Sequence, residues 1–174
     1  GAALAARGYP LFGLVARQKN RRVSEHVRRM RESAGIRILY TDRGLMPVMR
    51  ALRGNGFVAF PIDQDAGRNG VFVDFLGRRA SAPLGAVRFA RRAGCPMIPG
   101  FCLRQPDGSY KLEMPGPVWV RTDLPPHEAE LEALTRVTAL LEEVVRRYPE
   151  QWFWMHRRWK TRPPEGTGNG RGKR

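Results

Sequence analysis

Between residues 10 and 62 short apolar runs alternate with amphipathic stretches, and this alternation constrains the fold more than any other feature of the chain. Pro10-Leu11-Phe12-Gly13-Leu14-Val15-Ala16 is nearly continuous in apolar character, as expected of a strand buried on both faces in a parallel sheet. A helix is predicted next, because Val23, Val27, Met30 and Ala34 recur at three- and four-residue spacing and Gly35 stops the pattern. Ile36-Arg37-Ile38-Leu39-Tyr40 reads as a second strand. Asp42 is placed to cap a helix with Leu45, Met49 and Leu52 on one face, ended by Gly54-Asn55-Gly56. The third apolar run, residues 57–62, leads into Asp63-Gln64-Asp65. Strand and helix in this order predict an α/β fold with a mostly parallel central sheet flanked by helices.

The remainder extends that pattern. Val71-Phe72-Val73-Asp74-Phe75 is a short strand or extended segment, 84–93 a helix, and 96–102 another buried strand that is expected to continue the sheet. Asp107-Gly108 between two apolar stretches signals a hairpin and one antiparallel excursion. The longest helix is expected over about 128–147, with Leu131, Leu134, Val137, Leu141, Val144 and Tyr148 on one stripe. From residue 163 onward Pro, Gly and basic residues have nothing to bury, so 163–174 is read as a disordered basic tail behind a single domain over 1–162.

Charge narrows the partners without choosing among them. Lys and Arg total 31 against 16 Asp and Glu, a formal +15, which draws the chain towards nucleic acid, phospholipid headgroups, a phosphorylated glycolipid or an acidic carrier protein. Zinc, helix-turn-helix and RNA-binding signatures are lacking, so no specific nucleic acid is expected. Cys95 and Cys102 lie among apolar neighbours and are expected to be reduced core residues. No apolar run is long enough to span a bilayer. The opening Gly1-Ala2-Ala3-Leu4-Ala5-Ala6-Arg7-Gly8 reads as a helix already under way, as at the start of a C-terminal part of a longer polypeptide.

The segment from Pro149 to Lys160 concentrates three Trp, a Phe, a His, two Arg and a Lys. Aromatic rings beside fixed cations suit an apolar–polar boundary where rings bury and guanidinium groups meet phosphate. Equally, they suit a terminal helix that caps the core with Trp152 and Trp159 while its cations stay solvated.

The string Pro149-Glu150-Gln151-Trp152-Phe153-Trp154-Met155-His156-Arg157-Arg158-Trp159-Lys160 resembles the C-terminal signature of the bacterial lipid A biosynthesis acyltransferases, the lauroyl and myristoyl transferases of a lysophospholipid acyltransferase-like superfamily. Further similarities follow in order: Val15-Ala16-Arg17-Gln18-Lys19-Asn20, Asp63-Gln64-Asp65 with Gly67 and Gly70, and Phe75-Leu76-Gly77 before Leu84-Gly85. The resemblance covers residues 1–162 and implies a glycerolipid acyltransferase-like fold. It also implies transfer of a fatty acyl chain from acyl carrier protein to a hydroxyl of a phosphorylated, acylated glucosamine disaccharide, in lipopolysaccharide biosynthesis. The expected place is the cytoplasmic face of the inner membrane, against an anionic surface, with a membrane anchor supplied outside this chain and no cofactor beyond the carrier-bound acyl donor.

In that family a His followed five residues later by Asp or Glu deprotonates the acceptor hydroxyl for attack on the thioester. This box is absent from the chain in its Gly-His-x-Gly-Asn-Trp-Glu context, so the incomplete domain is expected to be inactive alone. His127 with Glu132 has the bare spacing but stands at a helix entrance, and His26 and His156 lack an acid at that distance. The remaining wall of the site is assigned as substrate-binding. Arg17 is a candidate for phosphate or a developing oxyanion, and Asn20 for the local turn or a donor to substrate. Asp63 or Asp65 would anchor an arginine such as Arg17 or Arg68, with no third ligand beside them for a metal. Gly70 with Gly67 gives backbone freedom, and Arg157, Arg158 and Lys160 are candidates for phosphate contacts. Phe72, Phe75 and Leu76 line an acyl slot or pack in the core, while Arg78 and Arg79 are read in a loop. The contrasting classes are a basic nucleic-acid-binding module and a peripheral membrane-binding module without catalysis.

Overall fold

The computed structural model describes residues 1–16 and 20–164, with Arg43 described by its backbone alone. The chain forms two compact units, one of Gly1–Pro61 with Arg92–Cys95, the other of Ile62–Arg91 with the chain from Pro96 onward.

The first unit realises the strand–helix alternation. A short helix α1 (Ala2–Ala5) precedes β1 (Leu11–Val15), then come α2 (Arg21–Ser33), β2 (Arg37–Tyr40), α3 (Met46–Arg53) and β3 (Phe57–Ala59). The strands form a parallel sheet in the order β2-β1-β3, with Phe12 opposite Arg37 on one side and Val58 on the other. Gly8 and Gly35 take positive φ after the helices they were expected to close. Three expectations are corrected. Only Leu11 of β1 is buried, so this strand is not sealed on both faces. Val23 and Met30 of α2 are exposed, and the helix buries no residue. Its surface is instead laced by Arg28 to Glu25 and Glu32 and by Arg29 to Glu25. Asp42 does not cap α3 but sits in a 3-10 turn, Thr41–Arg43. The cap position falls to Leu45, which offers no side-chain acceptor, and Pro in the first turn of α3 presets the helical φ.

The stop after α3 shows how sequence becomes geometry. Asn55 adopts φ 58°, and the amide of Gly56 returns to the Ala51 carbonyl at 2.9 Å, closing the helix in a left-handed turn. A Cβ at Gly56 would stand 2.7 Å from Phe12 Cε2 and 2.8 Å from the Ala51 carbonyl oxygen, so the entry into β3 is open only to glycine.

The second unit is built on a hairpin, β4 (Val71–Phe75) and β5 (Arg78–Ala82), with all but the last two residues of α4 (Gly85–Ala93), a second hairpin β6 (Phe101–Arg104) and β7 (Tyr110–Glu113), and the long α5 (Pro126–Arg147). Alternation along β4 and β5 aims Val73, Phe75, Ala80 and Ala82 inward, and α5 lies over this face. Ala80, Ala82 and Ala133 are small enough to bring helix and hairpin together. One cluster joins Val73, Ala82, Leu84, Val87, Ala133 and Leu134, and the other joins Phe75, Ala80, Leu141 and Val145. The α5 stripe is buried at Leu134, Val137, Leu141 and Val144 but not at Leu131.

Here too the sequence expectation is adjusted. The stretch 96–102 does not extend the parallel sheet: Met97 makes an isolated bridge to Val118, and β6 pairs antiparallel with β7 across the Asp107-Gly108 turn. Phe101 and Leu103 face inward, which leaves Cys102 on the exposed face, while Cys95 is half-buried with its thiol pushed up by desolvation. Arg78 and Arg79 belong to β5 rather than to a loop. The two-residue turn before them is Leu76-Gly77 with φ 50° and 76°, the hairpin type usually written Asn-Gly, and Leu in the first place hides it from a sequence reading.

Gly56→Ala is expected to lower stability by about 1–3 kcal/mol, the typical cost of overpacking, measured by urea denaturation. An unchanged midpoint would mean that Phe12 and the α3 terminus yield freely.

Candidate functional site

The C-terminal run does not form the expected terminal helix. After the 3-10 turn Pro149–Gln151 the chain turns extended at Trp152, with φ −87° and ψ 139°. It then proceeds through tight turns closed by Trp154 N–H to Trp152 O, His156 N–H to Phe153 O and Arg158 N–H to His156 O. This winding sends alternate side chains to different places. Trp152 and Trp159 both pack on Phe75, at centroid distances of 5.8 Å, with Trp159 stacked at 26°. Both tryptophans therefore cap the core as the composition suggested, but from turns.

Between them Arg158 is directed inward and is 1% exposed. Its guanidinium lies over the Phe75 ring at 5.6 Å and donates through Nη1 to the Ser81 carbonyl. Burial pushes the group below its ordinary value, and the carboxylates of Asp65 and Asp63 oppose that shift. Arginine stays protonated throughout the working range, so the unit holds a buried positive charge.

Asp65 is the second fixed point. Its carboxylate accepts from the Thr161 hydroxyl at 2.8 Å, from the Thr161 amide at 3.3 Å and from the Gly67 amide at 3.1 Å. Its own amide donates to His156 Nε2 at 2.8 Å. Ser81, fully buried, donates its hydroxyl to the Gly67 carbonyl at 2.7 Å and accepts from Arg158. A Cβ at Gly70 would fall 2.0 Å from Ser81 Oγ, so this glycine is required by close approach and not by an unusual φ. Among the described residues no group of three His, Cys, Asp or Glu is gathered that could hold a metal.

The structure thus brings together Asp63, Asp65, Gly70 and Arg158 of the assigned residues, and adds Ser81, His156 and Thr161, for which composition gave no signal. Arg157 and Lys160 alternate with Arg158 and Trp159 and are exposed; Arg68 is exposed in the 3-10 turn Gly67–Asn69. Among the described residues, the carboxylates of Asp63 and Asp65 act on the Arg158 guanidinium. Asn20, in the first unit, is the N-cap of α2 and accepts from Arg22 N at 2.9 Å and Val23 N at 3.3 Å, which is the local-turn role. Arg17 lies outside the described residues.

Two acids that sequence reasoning passed over support this region. Glu142 of α5 accepts from the Leu76 amide at 2.7 Å and pairs with Arg146. The Leu76 amide and Arg146 hold its carboxyl below the usual range despite burial. Glu142 thereby fastens the turn whose Leu76 carries φ 50° and which delivers Phe75 to the two tryptophans. Glu130, buried in α5, is pulled up by desolvation but more than offset by Arg91 and Arg88, at 2.8 and 3.3 Å.

The three histidines stand in different settings. His26 is exposed on α2. His156 spends Nε2 as an acceptor, which places its ring proton on Nδ1. His127 stands in the first turn of α5, and Glu132, five residues on, lies about 140° around the helix. Glu132 pairs instead with Arg136 at 3.6 Å.

Residues 1–161, spanning both the Asp63-Gln64-Asp65 loop and the C-terminal run, match the family model described as bacterial lipid A biosynthesis acyltransferase. The chain belongs to that family. Among curated relatives, the lipid A biosynthesis lauroyltransferase of Escherichia coli (strain K12) is 34% identical over 124 residues, 70% of this chain and 39% of the relative. The lipid A biosynthesis palmitoleoyltransferase of the same strain is 30% identical over 154 residues, 84% of this chain and 47% of the relative. A phosphatidylinositol mannoside acyltransferase of Mycobacterium tuberculosis (strain ATCC 25618 / H37Rv) is 33% identical over 76 residues, 41% of this chain and 24% of the relative. The chain therefore spans less than half the length of each of these curated relatives.

Arg158→Ala is expected to cost about 3 kcal/mol or more, because it removes the charge facing Asp63 and Asp65 and opens a cavity on Phe75. Arg158→Lys should recover less than half, since an ammonium cannot lie flat on the ring and reach Ser81 together; full recovery in urea titrations would refute the guanidinium-specific account. For Glu142, a folded pKa below the unfolded one gives stability that is present above the ordinary carboxylate range and is lost as pH falls through the folded value. Glu142→Gln should accordingly destabilise by about 1 kcal/mol at neutral pH and not at pH values where the wild-type carboxyl is protonated, as read from the pH dependence of the unfolding midpoint.

Proposed function

We propose that this chain is part of an enzyme that transfers a fatty acyl group from acyl carrier protein to a hydroxyl of a phosphorylated glycolipid precursor of lipid A, at the cytoplasmic face of the inner membrane. The observation that carries the reading is the family match over residues 1–161, whose two most characteristic segments, Asp63-Gln64-Asp65 and the Trp-Arg-Lys run, are bound to each other through Asp65, His156 and Thr161. The names of the lauroyl and palmitoleoyl relatives support acyl transfer in lipid A biosynthesis. Exposed Arg157, Lys160 and Arg68 supply positive charge suited to acceptor phosphates, and the +15 excess favours approach to an acidic carrier and an anionic membrane.

The proton-transfer step needs a base within hydrogen-bond reach of the acceptor hydroxyl and an acid that orients it. His26 and His156 have no acid five residues on, and His127 with Glu132 lacks the Gly and Asn context of the family's box. In this reading residues 1–174 contribute binding and support, and the histidine–acid pair lies outside them. No cofactor enters the chemistry, since the thioester itself activates the acyl group.

The 174-residue chain, incubated with acyl-loaded carrier protein and a phosphorylated glucosamine disaccharide acceptor, is expected to give no acylated product. It should bind the acceptor saturably, and more weakly when the acceptor phosphates are removed. Turnover that disappears in His127→Ala would overturn the assignment of the dyad, and indifference to the phosphates would count against the acceptor class.

A further inference from the structure

The turn Phe153-Trp154-Met155 projects away from the core that its neighbours cap. These three consecutive side chains are 66%, 51% and 86% exposed, a contiguous apolar tip of the kind that marks an interaction site. The tip is held from both sides, because Trp152 before it and Trp159 after it pack on Phe75, and His156 is tied to Asp65. Part of its polar surface is spent within the turn. The indole N–H of Trp154 donates to the Pro149 carbonyl at 2.7 Å, and the amides of Trp154 and His156 donate to Trp152 O and Phe153 O. Each bond made inside the turn lowers the cost of moving it towards an apolar phase.

Cations follow the tip. Arg157, Lys160 and Arg162 are all exposed, one exposed acid, Glu150, precedes the tip, and Asp65 and Asp63 face Thr161 and Arg158. A protruding apolar point followed by three exposed cations, against one exposed acid before it, calls for a yielding apolar partner with an anionic margin. A bilayer interface provides this at any point of its surface, whereas a protein partner would need a pocket shaped to the tip.

We infer that Phe153-Trp154-Met155 inserts into the headgroup–acyl boundary of an anionic bilayer while Arg157, Lys160 and Arg162 meet lipid phosphates. The choice of a bilayer rests on the membrane-facing reading above. The association is measured without acyl transfer, so either reading can fail while the other stands.

The test is co-sedimentation of the full chain with vesicles of equal parts phosphatidylcholine and phosphatidylglycerol, at low and high salt, and with phosphatidylcholine alone. Binding is expected to favour the anionic vesicles, to weaken with salt and to persist in part at high salt. Trp154→Ser with Met155→Ser should lower the high-salt partition by about tenfold or more without shifting the thermal unfolding transition, as both side chains lie off the core. Trp154→Leu should retain binding but lose most of the tryptophan quenching by phospholipids brominated near the headgroup. Failure of the wild-type chain to sediment with anionic vesicles would overturn the inference. So would equal high-salt binding by the serine variant, equal quenching in Trp154→Leu, or self-association through the tip in place of lipid binding.

Discussion

The buried guanidinium of Arg158 is the constraint on which the rest of the second unit depends. A charge removed from water is tolerated only where fixed dipoles, counter-charges and polarisable surface replace its hydration. Here the Ser81 carbonyl, the Phe75 ring and the fields of Asp63 and Asp65 do so together. Each comes from a different stretch of chain, so the charge cannot be accommodated until the β4–β5 hairpin, the loop before it and the C-terminal run have met. The accommodation is not complete. Arg158 Nε and the Trp159 indole N–H are buried without a protein acceptor, a cost that packing around Phe75 has to offset.

Several features that look independent follow from this arrangement. Gly70 must be glycine because Ser81, placed to accept from Arg158 and to donate to Gly67, occupies the space of its Cβ. Leu76 tolerates a left-handed backbone because Glu142 accepts its amide and Phe75 beside it is fixed between two tryptophans. Arg78 covers the outer side of Trp159 at 5.1 Å. The resulting clasp is structural chemistry. It fixes the loop Asp63-Gln64-Asp65 and positions Arg157, Lys160 and the Phe153–Met155 turn outward, and within it His156 Nε2 is already an acceptor.

Membership of an acyltransferase family rests on the match over residues 1–161, and the aligned segments cover 39% and 47% of the lauroyl and palmitoleoyl relatives. The charged surface of α2 belongs to a different category. Of its arginines, Arg28 and Arg29 answer Glu25 and Glu32 on the same helix, and local ion pairs of that kind need no ligand to explain them.

The sequence by itself determined the periodic elements: β1, α2, β2, α3 and β3 in order, the β6–β7 hairpin at Asp107-Gly108, and α5 within two residues of its expected start. It also determined family membership, through the Trp-Arg-Lys run. These are legible because side-chain period and turn chemistry are local, and because a dense string of rare residues is specific. Only the tertiary structure decided that 96–102 leaves the parallel sheet, that Leu76-Gly77 is a hairpin turn, and that the C-terminal run winds through turns instead of a helix. It alone separated Arg158 from Arg157. The two residues are chemically identical and adjacent, and their opposite fates depend on where Ser81, Phe75 and Asp65 arrive from far along the chain, which no local pattern encodes.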